Sequence, residues 1–108
     1  MPFRLIAALA FVMGIAVAAS GATIIKVGQR GMIFSQSSAS LTKGDSMVFT
    51  NEDDVIHNIH VFGSGNEESK DLGLQRPNVA LTYKFDKAGA YRIRCNIHPS
   101  MKMAVTVK

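Results

Sequence analysis

From residue 23 onward, apolar and polar residues follow the pattern of short β-strands separated by turns. The alternation is clearest at 46–50 (SMVFT) and 79–85 (VALTYKF), where β-branched and aromatic residues are frequent. Seven or eight short strands at this spacing predict an all-β fold, an antiparallel sandwich or barrel. Residues 63–77 are polar and lack a period, which predicts a loop with at most one helical turn. The predicted strands are 23–27, 31–34, 39–42, 46–50, 57–62, 79–85, 90–95 and 103–108.

The first 22 residues have a different pattern. A single cation, Arg4, precedes an apolar run of 15 residues from Leu5 to Ala19, and small residues follow. This layout predicts a secretory signal peptide over residues 1–22, with cleavage between 18 and 22, and one domain over residues 23–108. An uncleaved membrane anchor is the alternative, but the run is shorter than the ~20 residues that a spanning helix needs. We therefore expect a periplasmic or otherwise exported protein, with no stable membrane association after cleavage.

Composition and charge narrow the function classes. The chain has 108 residues and a single cysteine, which cannot form an internal disulfide. Because small exported domains usually gain stability from disulfides or a metal, a bound metal is favoured. The formal net charge is +4, or +3 without Arg4, and no basic run is interleaved with aromatic residues, so nucleic acid is not an expected partner. The mild positive charge slightly favours an acidic partner.

The cysteine lies in the segment CNIHPSMKM, residues 95–103, among other soft or borderline metal ligands. In the predicted strand before it, Tyr91 and Ile93 share a face with Cys95, whereas two arginines share the opposite face. The arginines have to face solvent, so Cys95 points inward at the end of its strand. His98 follows on a turn and can reach the same metal ion as Cys95.

A third strong ligand has to come from His57 or His60, which lie in one predicted strand. Their opposite parity allows only one of them to join Cys95, and parity leaves the choice open because both faces carry apolar residues. The loop-proximal position of His57 favours that residue. Two imidazoles, a thiolate and a thioether are typical of a blue copper site.

Other uses of these residues fit less well. Zinc gains little from methionine, and covalent haem attachment would need a second cysteine before a histidine. A Cys–His nucleophile is conceivable, but so small a β-domain leaves little room for a substrate pocket. We therefore predict no catalytic residues and no enzyme.

Three segments carry a resemblance to a known family. IHNIHVF (56–62) and YRIRCNIHPSMKMAVTVK (91–108) resemble the two copper-ligand segments of the cupredoxins, the type 1 blue copper proteins, and are most similar to the amicyanin- and plastocyanin-like members. KGDSMVFTNEDD (43–54) resembles the strand and loop that precede the first ligand in that family. The resemblance covers nearly all of the predicted mature chain.

The resemblance implies an eight-stranded Greek-key β-sandwich that holds one copper ion. It implies His57, Cys95 and His98 as the equatorial ligands, and it selects His57 over His60 because the ligand histidine of the family is followed by asparagine. Asn58 would then tie the strand of His57 to the loop of Cys95 and fix the orientation of the ligands.

Two methionines compete for the axial position. The spacing Cys-x2-His-x2-Met selects Met101, and the longer Cys-x2-His-x4-Met selects Met103. In the family, alternating apolar residues lie four and six positions after the axial methionine. Val105 and Val107 satisfy this for Met101, whereas the chain ends too early for Met103. Met101 is therefore the predicted axial ligand, and Met103 is a core residue and the alternative axial ligand.

The resulting prediction is a small exported type 1 copper protein that carries single electrons between redox proteins. Partners are expected to dock transiently near His98, on an apolar rim of Ile56, Ile97 and Pro99, and the protein is expected to be a monomer. Two alternatives remain open. One is a periplasmic protein that uses the same ligands to bind and deliver copper, and the other is a metal-free interaction domain of the same fold.

Three further features receive simpler interpretations. The acidic run at 52–54 predicts a solvated turn. Met32 is predicted to be a core residue of its strand. Arg92 and Arg94 predict a solvated sheet face, which together with Lys102 would also add a basic docking surface.

Overall fold

The computed structural model describes residues 21–65 and 69–108, so the predicted signal peptide lies outside the described residues up to position 20. In the described part the chain forms nine β-strands and no helix, and hence none long and apolar enough to cross a membrane. The strands are β1 (Ile24–Arg30), β2 (Ile33–Phe34), β3 (Ser38–Leu41), β4 (Ser46–Asn51), β5 (His57–Gly63), β6 (Lys70–Gln75), β7 (Ala80–Lys84), β8 (Gly89–Arg94) and β9 (Lys102–Val107).

The strands form two sheets that share one core. One sheet has the order β2-β1-β4-β7 and the other the order β3-β9-β8-β5-β6. Most neighbours are antiparallel, but β1 pairs with β4 and β3 with β9 in parallel. The chain crosses from one sheet to the other after β2, β3, β4, β6 and β7, as Greek-key connections do. The predicted all-β sandwich is confirmed, with nine strands where seven or eight were expected.

Alternating side chains from both sheets fill the core. Burial alternates along β4, β8 and β9, as the strand period of two requires. Each large apolar side chain removed from water stabilises the fold by roughly 1.5–3 kcal/mol relative to an exposed one. The buried apolar residues are Val27, Phe34, Leu41, Met47, Phe49, Ile59, Val61, Phe85, Tyr91, Ile93, Cys95, Met101, Met103, Val105 and Val107.

The segment predicted as a strand at 31–34 is partly a turn. Only Ile33 and Phe34 pair with β1, while Gly31 and Met32 form the two-residue connection with φ of 66° and 58°. Two successive positive φ values are those of a type I′ hairpin turn, which glycine adopts readily and methionine rarely. The prediction of Met32 as a core residue is therefore wrong, and this residue is 43% exposed.

The segment predicted as a loop at 63–77 contains β6, the edge strand beside β5. Its pairing with β5 shifts register between Ile59 and His60, and Gly73 adopts a φ of 94°, as glycines do at β-bulges. Gln75 is the one fully buried residue of this strand. A polar edge strand with a bulge resists pairing with other chains, and for the same reason it lacks the apolar alternation that would have predicted it.

Candidate metal centre

Three of the predicted ligands converge at one end of the five-stranded sheet. His57 is the first residue of β5, Cys95 directly follows β8, and His98 lies in the loop that leads to β9. The Nδ1 atoms of the two histidines are 3.1 Å apart. The Sγ atom of Cys95 lies 3.9 Å from Nδ1 of His57 and 3.7 Å from Nδ1 of His98. His57 and Cys95 are buried and His98 is half-buried.

The triangle formed by these three atoms has the size of a metal-coordination plane. The point equidistant from the three atoms lies about 2.1 Å from each of them, close to the roughly 2.0–2.3 Å bonds that a first-row ion such as Zn²⁺ forms with imidazole nitrogen and thiolate sulfur. Two imidazole nitrogens and a thiolate sulfur in one plane are the equatorial donor set of blue copper sites. The residues present therefore fit a copper ion.

The loop that carries Cys95 and His98 is closed by backbone hydrogen bonds. The Cys95 N–H donates to the carbonyl oxygen of Met101 at 3.1 Å, and the Met101 N–H donates to the carbonyl oxygen of His98 at 2.8 Å. The Asn58 N–H donates to the Sγ of Cys95 at 3.3 Å. A donor aimed at sulfur fixes the direction in which the remaining lone pairs of the sulfur point.

The side chain of Asn58 joins the two ligand-bearing parts of the sheet. Its Oδ1 accepts the N–H of Asn96 at 2.8 Å, and its Nδ2 donates to Oδ1 of Asp71 at 2.8 Å and to the carbonyl oxygen of Gly73 at 3.1 Å. The Gly73 N–H and the Asn58 amide, as hydrogen-bond donors, hold the pKa of the Asp71 carboxyl below its usual range. Asn58 is thus oriented from both sides and holds the loop after Cys95 against β5.

Asp53 contacts the buried histidine from the side away from Cys95. Its Oδ2 lies 2.7 Å from Nε2 of His57, and its carboxylate also accepts the N–H groups of Gly31 and Met32 at 2.6 and 3.0 Å. Desolvation acts to raise the pKa of the Asp53 carboxyl, but the hydrogen bonds from His57, Met32 and Gly31 outweigh it and hold the pKa below its usual value. A carboxylate can only accept a hydrogen bond here, so this contact suits the tautomer of His57 with its proton on Nε2, in which Nδ1 is the nitrogen that can bind a metal.

The interpretation of the acidic run at 52–54 as a solvated turn is wrong for Asp53. Its side chain is only 12% exposed, while its neighbours Glu52 and Asp54 are exposed. Carboxylates commonly orient metal-binding histidines in this way. The sequence alone does not identify Asp53. It lies four residues before His57, and the two side chains meet only because of the conformation of the loop between them.

His60 takes no part in the donor triangle. It lies on the opposite face of β5, its Nδ1 is 3.0 Å from Nδ2 of Asn96, and its ring stacks on Phe62 with centroids 3.8 Å apart. The strand geometry therefore separates the two histidines that parity alone could not rank.

The two candidate axial methionines occupy different environments. Both are buried. Met101 precedes β9 and is hydrogen-bonded through its backbone to Cys95 and His98. Met103 lies inside β9, directly opposite Ile93 of β8, in the core of the sandwich. Met101 is thus linked by its backbone to the ligand loop, and its axial role stays a prediction.

Comparisons with known proteins agree on one family. The family described as copper binding proteins of the plastocyanin/azurin type matches residues 21–108. Amicyanin-alpha of Methylorubrum extorquens is 32% identical over 93 residues, which span 84% of this chain and 76% of the relative.

Solved structures of amicyanin variants have the same fold. The reduced Cu(I) form, at pH 4, of a proline-to-glycine mutant of amicyanin is 28% identical with a TM-score of 0.69, and the match covers 84% of this chain and 86% of that one. The oxidised state of a proline-to-alanine mutant is 27% identical with a TM-score of 0.70, over the same shares of the two chains.

Proposed function

Because the chain belongs to the plastocyanin/azurin family of copper-binding proteins, we propose that it binds one copper ion in a type 1 site and carries single electrons between redox proteins. His57, Cys95 and His98 are the proposed equatorial ligands and Met101 the proposed axial ligand. The convergence of three donor atoms around one point carries this proposal. When bound, copper supplies one-electron redox chemistry, since thiolate, imidazole and thioether ligands suit both of its common oxidation states.

The protein's own residues would hold the ligands still while an electron enters or leaves. Asp53 orients the imidazole of His57 through Nε2, and the Asn58 N–H orients the sulfur of Cys95. Burial of His57 and Cys95 keeps water away from the metal. Ligands fixed in this way from several sides move little between oxidation states, which is the property that an electron carrier requires.

The proposed route for the electron is the half-buried ligand His98. Two large apolar residues that directly precede ligands, Ile56 and Ile97, are 41% and 48% exposed, and Pro99 is also exposed. An apolar rim around an accessible ligand supports brief docking of a redox partner, because such encounters bury little surface. We propose that the protein acts there as a monomer.

The burial of the site favours a carrier over a copper-delivery protein. Two of the three equatorial donors are buried, so a recipient's ligand would reach the metal only past His98. A delivery protein that exchanges its metal would be expected to present its soft donor, Cys95, at the surface. The family is described as one of copper-binding proteins, and no enzyme activity is proposed.

The test is the spectrum of the protein loaded with Cu(II). We expect an intense visible thiolate charge-transfer band and the EPR signal of a type 1 site, and both should disappear in Cys95→Ser. Loading with Cu(II) that produces no such band, or a protein that holds only Cu(I), would contradict the electron-carrier function.

Export remains a proposal that rests on the sequence of residues 1–22. A secretory leader places the single cysteine in a compartment where a bound metal protects the thiol from oxidation. The N-terminal residue of the protein recovered from a periplasmic fraction should be close to Thr23. Recovery of the full-length chain from the cytoplasm would contradict export.

A further inference from the structure

A row of cations lies on the outward face of the five-stranded sheet. Arg92 and Arg94 of β8 point outward because Tyr91 and Ile93 point into the core. In the antiparallel pairing of β8 with β9, Lys102 lies directly opposite Arg94. We call Arg92, Arg94 and Lys102 the basic face.

Among residues 21–65 and 69–108, no residue of the basic face forms an ion pair. The ion pairs of this described part join other residues, and the guanidinium carbon of Arg94 lies 6.0 Å from the centroid of the Phe62 ring. Like charges directly opposite each other in an antiparallel pair destabilise a sheet. The arrangement therefore weakens the fold slightly and leaves positive charge that an anionic partner would neutralise.

The basic face adjoins the metal centre. Arg94 is covalently joined to Cys95, and Asn96 on the other side of the cysteine contacts His60, which stacks on Phe62. A partner held against β8 and β9 would therefore lie beside the residues that flank the thiolate.

The surface fits an acidic protein better than an anionic membrane. Small side chains on β8 and β9, with Ala104 and Thr106 among them, leave a shallow groove between Phe62 and the two arginines, into which carboxylate side chains can reach. None of the large exposed apolar residues of the described part lies on β8 or β9, so the two strands that carry the basic face present no such side chain to a lipid surface. Those residues are Ile24, Met32, Ile33, Ile56, Leu74, Val79 and Ile97.

We propose that the basic face docks an acidic surface of a redox partner, as a second contact region separate from the apolar rim around His98. That the partner is a redox protein rests on the proposed function, whereas the binding of carboxylates does not. Exposed charges of this kind steer association and set its salt dependence more than they add affinity.

The experiment uses a short polyglutamate peptide as the probe and the Cu(I)-loaded protein, which is diamagnetic and suits NMR. At low ionic strength the amide signals of Arg92, Arg94, Lys102 and Ala104 should shift on titration, and added salt should reverse the shifts. In the triple variant Arg92→Gln, Arg94→Gln, Lys102→Gln binding should weaken about tenfold, since three exposed charge pairs are removed.

A matched control removes the same charge elsewhere. Lys26 lies on the other sheet, and Lys43 and Lys87 lie in turns at the end away from the metal centre. The triple variant Lys26→Gln, Lys43→Gln, Lys87→Gln should bind the peptide nearly as well as the wild type. Equal losses in the two triple variants would mean that only net charge matters, and would overturn the proposal.

Two further measurements keep the outcome clear. The basic-face variant should melt at or above the wild-type temperature, because opposed cations are removed; a marked fall would make these residues structural and overturn the docking role. Binding to phosphatidylglycerol vesicles without binding to the peptide would also overturn it. If the copper-loaded protein has the blue spectrum but its amide signals do not shift with the peptide, only the docking proposal is refuted. If the amide signals shift but the blue spectrum is absent, only the proposed function is refuted.

Discussion

The two segments that bring ligands to the metal centre are held in different ways. The segment at 51–57, which ends in His57, is held by side chains: Nδ2 of Asn51 donates to the carbonyl oxygen of Val55, Oδ1 of Asn51 accepts the N–H of Asp53, and Asp53 contacts His57. The segment at 95–101 is held mainly by its own backbone, through the hydrogen bonds that link Cys95, His98 and Met101.

This difference predicts which substitutions disturb the site. A segment fixed by its own backbone tolerates exchange of side chains that are not ligands, because the hydrogen bonds remain. A segment fixed by side chains loses its shape when one of them is changed. Asn58 is the main protein link between the two segments, through its N–H to Cys95 and its side chain to Asn96. A bound metal ion would be a second link.

The largest expected effect is therefore that of copper itself. Because a ligand that binds only the folded state stabilises it, free copper at a hundred times its Kd should add about 2.7 kcal/mol to the free energy of unfolding. The measurement is thermal unfolding with and without copper. The Cys95→Ser variant is the control and should gain much less.

Equal melting temperatures for the metal-free and copper-loaded protein would mean that copper does not bridge the two segments. The ligand set proposed from both of them would then be wrong.

The next largest effect is expected for Asp53→Asn. An amide has only one oxygen, so it cannot accept hydrogen bonds from His57, Gly31 and Met32 together as the carboxylate does, and the imidazole of His57 loses its fixed orientation. Copper affinity should fall roughly ten- to a hundredfold, as it does when such outer ligands are removed from metal sites. The measurement is copper affinity by competition with a chelator, together with ¹⁵N NMR of the His57 ring in the metal-free protein.

Asp54→Asn provides a matched control. Asp54 is the next residue, is exposed, and carries the same charge, so its replacement reports the loss of one negative charge near the site. Equal losses of affinity in the two variants would show that Asp53 acts through charge alone, and not by orienting His57.

The same contrast explains what sequence could predict. The segment at 95–101, which is held by its own backbone, contains Cys95, His98 and Met101 within seven residues. Their spacing in the sequence was therefore enough to predict them as metal ligands. Strand alternation likewise predicted eight of the nine strands at least in part. It did not predict β6, because only Gln75 of that strand is buried and its sequence shows no apolar alternation.

The supports of the other segment depend on contacts between distant parts of the chain. Asp53 meets Gly31 and Met32 only because the β1–β2 turn folds against it, with a methionine in a conformation that its sequence does not favour. No local pattern encodes that contact. For the same reason, the role of Asp53 and the exposure of Met32 were predicted wrongly together.

A smaller effect is expected for the two methionines, Met101 in the segment at 95–101 and Met103 in β9. Met101→Leu should leave copper and colour in place but raise the reduction potential, because loss of a weak axial donor disfavours Cu(II) more than Cu(I). Met103→Leu is nearly volume-conserving and should lower the free energy of unfolding by less than ~1.5 kcal/mol, with the potential almost unchanged. Voltammetry and EPR on both variants make the comparison. A potential that moves in Met103→Leu and not in Met101→Leu would transfer the axial role to Met103.

The smallest effect is expected for Asp45→Asn, which lies outside both segments and shows what a carboxylate contributes when it holds only backbone. Asp45 accepts the N–H groups of Thr23 and Thr42 at 2.8 and 2.9 Å, and these hydrogen bonds lower the pKa of its carboxyl. A carboxyl with a lowered folded-state pKa stabilises the fold above its unfolded pKa of about 4, and this contribution disappears as the pH falls through the folded value. The stability difference between wild type and Asp45→Asn should therefore be greatest above about pH 5 and should shrink as the pH falls below about 4, as urea unfolding of the metal-free proteins across that range would show. Copper affinity should not change. A pH-independent difference would contradict the hydrogen-bonding role, and a loss of copper affinity equal to that of Asp53→Asn would remove the distinction between a carboxylate that orients a ligand and one that only holds a turn.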